Sequence, residues 1–482
     1  MQAPLQASAV DLAVAIARGD TTSAAVVEAH IAQIERTNGA LNAVVHDRFE
    51  TARAEAAAAD ARLAEHGPDG LPPLHGVPCT IKESFALTGM PWTAGLVART
   101  GTTASQDAAT VARLRAAGAI PLGVTNLSEL CMWLESNNRV YGRTNNPYDP
   151  SRMVGGSSGG EGASVAAGYA PFGLGADVGG SIRLPAFFNG VFGHKPSSCL
   201  VPNIGQFPLG ENDALRYLAS GPLCRRAADL QPLLRVLAGA HPDDPVARDH
   251  ELGDADRVDV SKLRVLHIPD NGRTAVTREI RDAQARAADH LGSLGATVTS
   301  PSLPRLRKSY DLWSSAMHVA AATPFSVLLG NGEPTPYVSS FLRFVSGRSP
   351  HTLPALALAW FEPTADFPRG RAQKWLAPLV ELKDELNDLL GDDGVMLYPV
   401  FPRTAPKHYQ PLLRPFEFVY TAVINAVELP ATAIPLGLDR RGLPLGIQAV
   451  ASWGQDHLSI AIAQELERAF GGWVPPFPTE PS

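Results

Sequence analysis

Along the chain, stretches with apolar side chains at helical spacing take turns with stretches that alternate or run continuously apolar. Ser8–Arg18 has the helical pattern, with Ser8 placed to cap the run and Gly19 to stop it. Val27, Ile31 and Ile34 share one face of a second helix over Ser23–Arg36. Leu41–Val45 reads as a strand and Glu50–Glu65 as an alanine-rich helix. These helices read as a packing platform for a sheet.

The rhythm then continues. Strand Val77–Lys82 sets Val77, Cys79 and Ile81 on one face and Thr80 and Lys82 on the other. Next come helix Ala108–Ala117, strands Ile120–Val124 and Pro171–Ala176, the helix-like run Ser181–Phe188 and a capped helix from Cys224 to Ala240. Strand Leu263–Ile268, helix Val276–Leu294 and strand Ala296–Thr299 follow. The C-terminal part reads as helix Arg369–Leu390, strand Val395–Pro399, helix Phe416–Val427, strands Thr432–Pro435 and Gly446–Val450, and the amphipathic helix Asp456–Phe470. This alternation predicts an α/β fold with a central mixed sheet covered by helices.

At roughly 150 residues per domain the chain could hold about three domains. Its glycines and prolines are scattered, however, and no linker or repeat divides it. The expectation is a single domain over residues 1–482, with N-terminal helices at 1–70, a core at 71–240, an apolar substrate-side region at 305–375 and C-terminal strands and helix at 376–482.

A 45% hydrophobic content suffices for a large core, and a net charge of −7 argues against general affinity for nucleic acid or anionic membrane. Cys79, Cys131, Cys199 and Cys224 lie far apart without a CxxC pair, which predicts reduced thiols and no zinc site. The N-terminus lacks a basic start, and no run of about eighteen apolar residues occurs, so neither a secretory signal nor a transmembrane helix is expected and the cytoplasm is the default. Leu312–Phe361 holds more apolar side chains than a surface helix pair needs; core packing explains much of this, and the remainder reads as an acyl-tunnel lining or a membrane-docking face.

Candidate chemistry concentrates in Gly155–Lys195, GGSSGGEGASVAAGYAPFGLGADVGGSIRLPAFFNGVFGHK. Ser157 and Ser181 each follow a Gly-Gly pair, where backbone can approach a reacting atom closely. Backbone N–H groups and a helix N-terminus beside Ser181 would stabilise an oxyanion. A tight structural loop or a phosphate cradle are other readings of such a turn, although no lysine follows in the P-loop position. Asn126–Arg143 follows the end of a strand, where ligand sites in open α/β sheets gather.

Three motifs in register, GVPCTIKES around Lys82, GGSSGGEGA and GLGADVGGSIRLPAFFNGVFGHKP, resemble the amidase signature family, and the spacing of the lysine and two serines fits that family's Ser-Ser-Lys triad. The text GDDGVMLYPVFPRTAPKHYQPLLRPFEFVYTAV, with GLPLGIQAV and FGGWVPP, narrows the resemblance to fatty-acid amide hydrolases of the second vertebrate type, read here as a bacterial version. It runs from about Leu74 to Pro476, more weakly in the middle.

The resemblance implies Lys82 as base, Ser157 as relay and Ser181 as nucleophile, with a cis peptide before Ser157. It implies an oxyanion hole from the backbone N–H groups of Val178, Gly179, Gly180 and Ser181, support from Asp177 and Arg183, and Cys131 lining the substrate pocket. A lysine at the end of a strand is otherwise an ordinary solvated residue; buried, it would favour the neutral amine. A conventional Ser-His-Asp site would need His194, which also reads as a packed histidine in a GHKP turn. The implied partner is a small-molecule amide, hydrolysed through an acyl-enzyme, with no cofactor, metal or nucleic acid; peripheral membrane contact and a homodimer stay open. Two rival readings are an amidotransferase-type subunit acting on charged tRNA, opposed by the lack of a basic patch and the hydrolase-like C-terminus, and an inactive binding protein, opposed by the intact Lys82, Ser157 and Ser181.

Overall fold

Strands covered on both faces must be apolar or small nearly throughout, and Pro78–Lys82, Ile120–Thr125, Phe172–Asp177 and Ala219–Cys224 are buried along their whole length. The computed structural model describes residues 4–210, 212–362 and 370–477. Within them one 11-stranded sheet runs, in spatial order, Val44–Asp47, Ile120–Thr125, Pro78–Lys82, Phe172–Asp177, Ala219–Cys224, Phe192–Lys195, Ala431–Leu438, Pro444–Ala451, Gly394–Tyr398, Arg264–His267 and Thr297–Thr299. The sheet is mixed. Pro78–Lys82 runs parallel to both of its neighbours, the central strands pair antiparallel, and the last three are parallel again. Helices flank it in a single-domain α/β arrangement.

The parallel strands position the site. Lys82 ends its strand in register with Thr125, and Asp177 ends the third strand of the same parallel set. Lys82, Thr125 and Asp177 therefore lie along one carboxyl edge, where open sheets present their ligand sites.

Most predicted elements appear within a few residues of their expected ends. Ser8 caps helix Ala9–Ala17 by accepting the Asp11 N–H, and helix Asp456–Phe470 has the expected bounds. Three differences have physical causes. Cys224 ends a strand, pairing with Phe172 on one side and Phe192 on the other; a short 3-10 turn and helix Leu230–Leu237 follow. Phe192–Lys195 is likewise a strand, so His194 is a buried sheet residue and not part of a turn. Helix Arg183–Phe188 begins two residues beyond Ser181, because Asp177 takes its first N–H groups. Arg369, the expected start of a helix, lies outside the described residues; that helix runs Leu376–Leu390.

The apolar stretch Leu312–Phe361 divides. Leu312 and Ala316 join the main core, while Phe325, Leu329, Ala355, Leu356 and Ala359 pack with Ala94, Leu96, Leu127 and Leu130 in a cluster of their own. Helix Tyr337–Val345 keeps its apolar face in solvent: Val338, Phe341, Leu342 and Val345 are 75%, 52%, 61% and 69% exposed.

Candidate active site

Lys82 is fully buried, and its Nζ donates to Ser157 Oγ at 2.7 Å. Ser157 stands two residues ahead of helix Gly159–Ala166, and the Gly156–Ser157 peptide is cis. Ser136 fastens this turn: its hydroxyl lies 3.1 Å from the Gly155 C=O and 3.2 Å from the Ser157 C=O, and accepts the Gly159 N–H at 2.9 Å.

Ser181 faces the same turn, its C=O accepting the Ser158 N–H at 3.2 Å. The Ser181 hydroxyl has no hydrogen-bond partner among the described residues, so the lysine and the first serine are joined while the second serine is free to meet a substrate. Asp177 shapes the loop between them. It accepts N–H groups from Gly180 at 2.6 Å and Ile182 at 3.1 Å, and pairs with Arg183 through Nε at 3.0 Å and Nη2 at 3.1 Å. Burial alone would raise the Asp177 carboxyl, but the Arg183 guanidinium and the donated hydrogen bonds outweigh it and hold it at about 2. Arg183 reaches on to Gln448 Oε1 at 2.8 Å and the Thr421 C=O at 3.0 Å.

This arrangement alters the expected oxyanion hole. The Gly180 N–H is spent on Asp177, whereas those of Val178, Gly179 and Ser181 find no acceptor among the described residues. The carbonyls of the same loop are pinned from outside, Asp177 C=O by Asn425 Nδ2 at 3.0 Å, Val178 C=O by Trp313 Nε1 at 2.9 Å and Gly179 C=O by Thr421 Oγ1 at 2.8 Å.

Cys131 lies half-buried against the Phe325–Ala359 cluster, at a turn where Leu130 and Cys131 both adopt left-handed φ, 52° and 61°. Two such residues in succession are rare outside glycine. A cleft of about 190 Å³ opens near this turn, lined by Trp133, Phe344, Leu353, Pro354, Tyr409 and Leu412 and by the polar Glu135, Asn137, Arg139 and Thr352.

His194 is excluded from a Ser-His-Asp site. Its Nε2 lies 3.1 Å from Asp456 Oδ1 and its Nδ1 2.9 Å from Thr432 Oγ1, while Ser197 donates to the other Asp456 oxygen and not to the imidazole. Two carboxyls near Lys82 are also displaced: burial pushes Glu83 up to about 7 and Glu161 up to about 8, against hydrogen bonds that favour their ionised forms.

Sequence reasoning missed Trp313, Thr421, Asn425, Ser136 and Glu161. A signal existed for two of them, since Thr421 and Asn425 are polar residues four apart on the otherwise apolar helix Val419–Ala426 and therefore share one face.

The family model described as Amidase matches residues 25–459. Fatty-acid amide hydrolase 2-B of Danio rerio is 46% identical over 98% of this chain and 91% of its own length. Fatty-acid amide hydrolase 2 of Homo sapiens is 45% identical over 94% of this chain and 86% of its own. These relatives are vertebrate proteins, which corrects the expectation of a tie to bacterial enzymes of that type. The solved structure of 6-aminohexanoate cyclic dimer hydrolase complexed with substrate, 26% identical, superposes with a TM-score of 0.81 over 97% of each chain.

Proposed function

We propose, from the premise that the chain belongs to the amidase family, that this amide-bond hydrolase cleaves linear carboxylic amides with an apolar acyl group through a triad of Ser181, Ser157 and Lys82. The observation that carries the reading is the 2.7 Å bond from fully buried Lys82 to Ser157, with Ser181 on the adjoining turn.

In the proposed cycle Lys82, as the free amine, accepts the proton of Ser157 while Ser157 Oγ accepts that of Ser181, and Ser181 Oγ attacks the amide carbonyl carbon. The Ser157–Ser181 contact closes when substrate is bound, as catalytic hydrogen bonds commonly do. The relay then runs backward to protonate the leaving nitrogen, the C–N bond breaks, and an acyl ester remains on Ser181. Water, activated by the same relay, releases the acid. The N–H groups of Val178, Gly179 and Ser181 are aimed to hold the oxyanion, each such donor being worth about 3 kcal/mol. Asp177 and Arg183 fix the loop without touching the reacting atoms.

The apolar acyl preference is supported by the relatives' names and by the cleft bounded by Trp133 and Phe344; Cys131 packs against the same apolar cluster as Phe344 and in this reading borders the substrate there. Val338, Phe341, Leu342 and Val345, on one face of an exposed helix, support peripheral contact with a membrane from which such a substrate would be drawn. No helix among the described residues is long and apolar enough to cross a membrane. Four free cysteines support a reducing compartment, the cytoplasm.

A fluorophosphonate probe tests the nucleophile. Peptide mapping should find the adduct on Ser181 alone, and Ser181→Ala should abolish it; an adduct on Ser157, or undiminished labelling of Ser181→Ala, overturns the assignment.

A further inference from the structure

The proposed mechanism gives no role to Glu161, one of the two buried carboxyls near Lys82. Glu161 follows Ser157 by about one helical turn, in helix Gly159–Ala166, and no part of it reaches solvent. Its Oε2 accepts from Thr80 Oγ1 at 2.6 Å and its Oε1 from Thr125 Oγ1 at 2.7 Å. Thr80 shares the strand face of Lys82, and Thr125 is the register partner of Lys82 on the neighbouring strand. The next strand makes room for the same carboxyl: a Cβ on Gly173, which is paired with Thr80, would lie 1.7 Å from Glu161 Oε2. Three strands and a helix thus converge to hold one carboxyl beneath the Lys82–Ser157 pair.

Such a group is costly to bury unless it has a task or a partner. Its surroundings contain little other charge. Lys82 acts on it electrostatically from the strand Pro78–Lys82, while the Cys79 thiol on the same strand stays neutral, its ionisation pushed far up by burial and by Glu161 itself. Strand Ile120–Thr125 offers only the Thr125 hydroxyl and strand Phe172–Asp177 only the space at Gly173.

We propose that Glu161 is a positioning residue for catalysis: held by Thr80 and Thr125, its carboxyl governs whether Lys82 stands as the ammonium or as the free amine that can accept the Ser157 proton. The inference rests on the reading of Lys82 as the base. In a dry pocket two ionisable groups favour a neutral total, met either by carboxylate with ammonium or by carboxyl with free amine. Both states bind the same number of protons, and only the second can start the relay. A carboxylate therefore restrains the base and a carboxyl releases it. With the charge removed, the ammonium loses its buried counter-charge and the free amine is reached at lower pH.

The test is the pH dependence of kcat/KM on a short soluble amide, measured on the full chain as wild type, Glu161→Gln, Thr125→Val and Lys82→Ala, with the rate of fluorophosphonate labelling of Ser181 as a second readout. Glu161→Gln should move the midpoint of the acid limb down by about one pH unit, the size of shift a neighbouring charge produces, while KM changes by less than about twofold. Thr125→Val removes one donor that favours the carboxylate, so its limb should move the same way by less; it carries the test if the glutamine variant does not fold. A lowered rate with an unmoved limb in the folded variants overturns the proposal and makes Glu161 a packing residue. Lys82→Ala separates the two readings. If it is inactive and the limb of Glu161→Gln is unmoved, this inference alone fails; if it retains turnover, the triad reading fails and takes this one with it.

Discussion

Trp313 Nε1 donates to the Val178 C=O at 2.9 Å, and because a peptide unit is planar and trans, that bond also fixes the direction of the Gly179 N–H. Asn425 acts one unit earlier, holding the Asp177 C=O at 3.0 Å and with it the Val178 N–H. The N–H groups proposed as oxyanion donors are thus aimed by side chains that bond the opposite ends of their own peptide units, from elements far away in sequence.

Trp313→Phe keeps the ring that packs edge-on against Phe418 but loses the donor. A neutral hydrogen bond of this kind contributes about 1 kcal/mol, which corresponds to a roughly fivefold lower kcat with KM little changed. Steady-state kinetics on a short amide check this, and an unaltered kcat would show that the Gly179 N–H is aimed by other means. Gly180→Ala should be far worse, since its φ is +123° and a Cβ would lie 2.1 Å from Thr421 Oγ1. A loss of at least about a hundredfold, the usual cost of a disabled oxyanion hole, is expected there.

Acid stability should depend on Asp177. Its carboxyl titrates at about 2 in the folded chain against an ordinary 3.8, so ionised Asp177 stabilises the fold at neutral pH, and that contribution declines as pH falls below about 4 and is lost through about 2. At about 1.4 kcal/mol per pH unit the contribution is on the order of 2 kcal/mol. Asp177→Asn should be less stable at pH 7 by about 3–5 kcal/mol, because it strands the Arg183 charge in the core, and should lose part of the wild-type pH dependence between about 4 and 2. Urea denaturation across that range decides it. Equal slopes for the two proteins would assign the acid sensitivity to other groups.

These two sites also mark what could be read from the chain. The alternation along Val77–Lys82 gives the strand and the face of Lys82, and Ser8 and Gly19 mark the ends of the first helix, because these are local preferences. Strands Phe192–Lys195 and Ala219–Cys224 were not legible: Gly193, Gly221 and Pro222 read locally as turn residues, and only pairing within the sheet makes them strands. The residues proposed as the triad stood out through their motifs. Their supports did not, since Glu161 meets Thr80 across 81 residues and Trp313 meets Val178 across 135, and such contacts leave no periodic trace.

The exposed helix Tyr337–Val345 gives a prediction for membranes. Val338, Phe341, Leu342 and Val345 follow the spacing of a single helical face, and from Tyr337 to Phe361 the chain has no acidic residue. Burying each such side chain in the interface yields about 1.5–3 kcal/mol, enough in combination for reversible binding. The wild-type chain should cosediment with phospholipid vesicles, and Val338→Asp with Leu342→Asp should reduce the bound fraction at least about tenfold. Equal cosedimentation of the two proteins would remove this face from membrane contact.

The acyl preference is tested most sharply at Phe344. Phe325 is almost fully buried in the Leu329–Leu356 cluster, so Phe325→Asp would destabilise that cluster whatever the substrate, whereas Phe344, with Trp133, lines the 190 Å³ cleft. Each methylene buried there adds about 0.8 kcal/mol, or roughly fourfold in kcat/KM. Specificity constants should therefore climb along a series of amides with lengthening acyl chains and level off once the cleft is filled. Phe344→Asp sets a charge against the same surface and should flatten the climb while leaving the shortest amides within about twofold of wild type. Constants that stay level with chain length in the wild-type enzyme would mean that Phe344 only covers the cluster beneath it, and that the acyl group lies elsewhere.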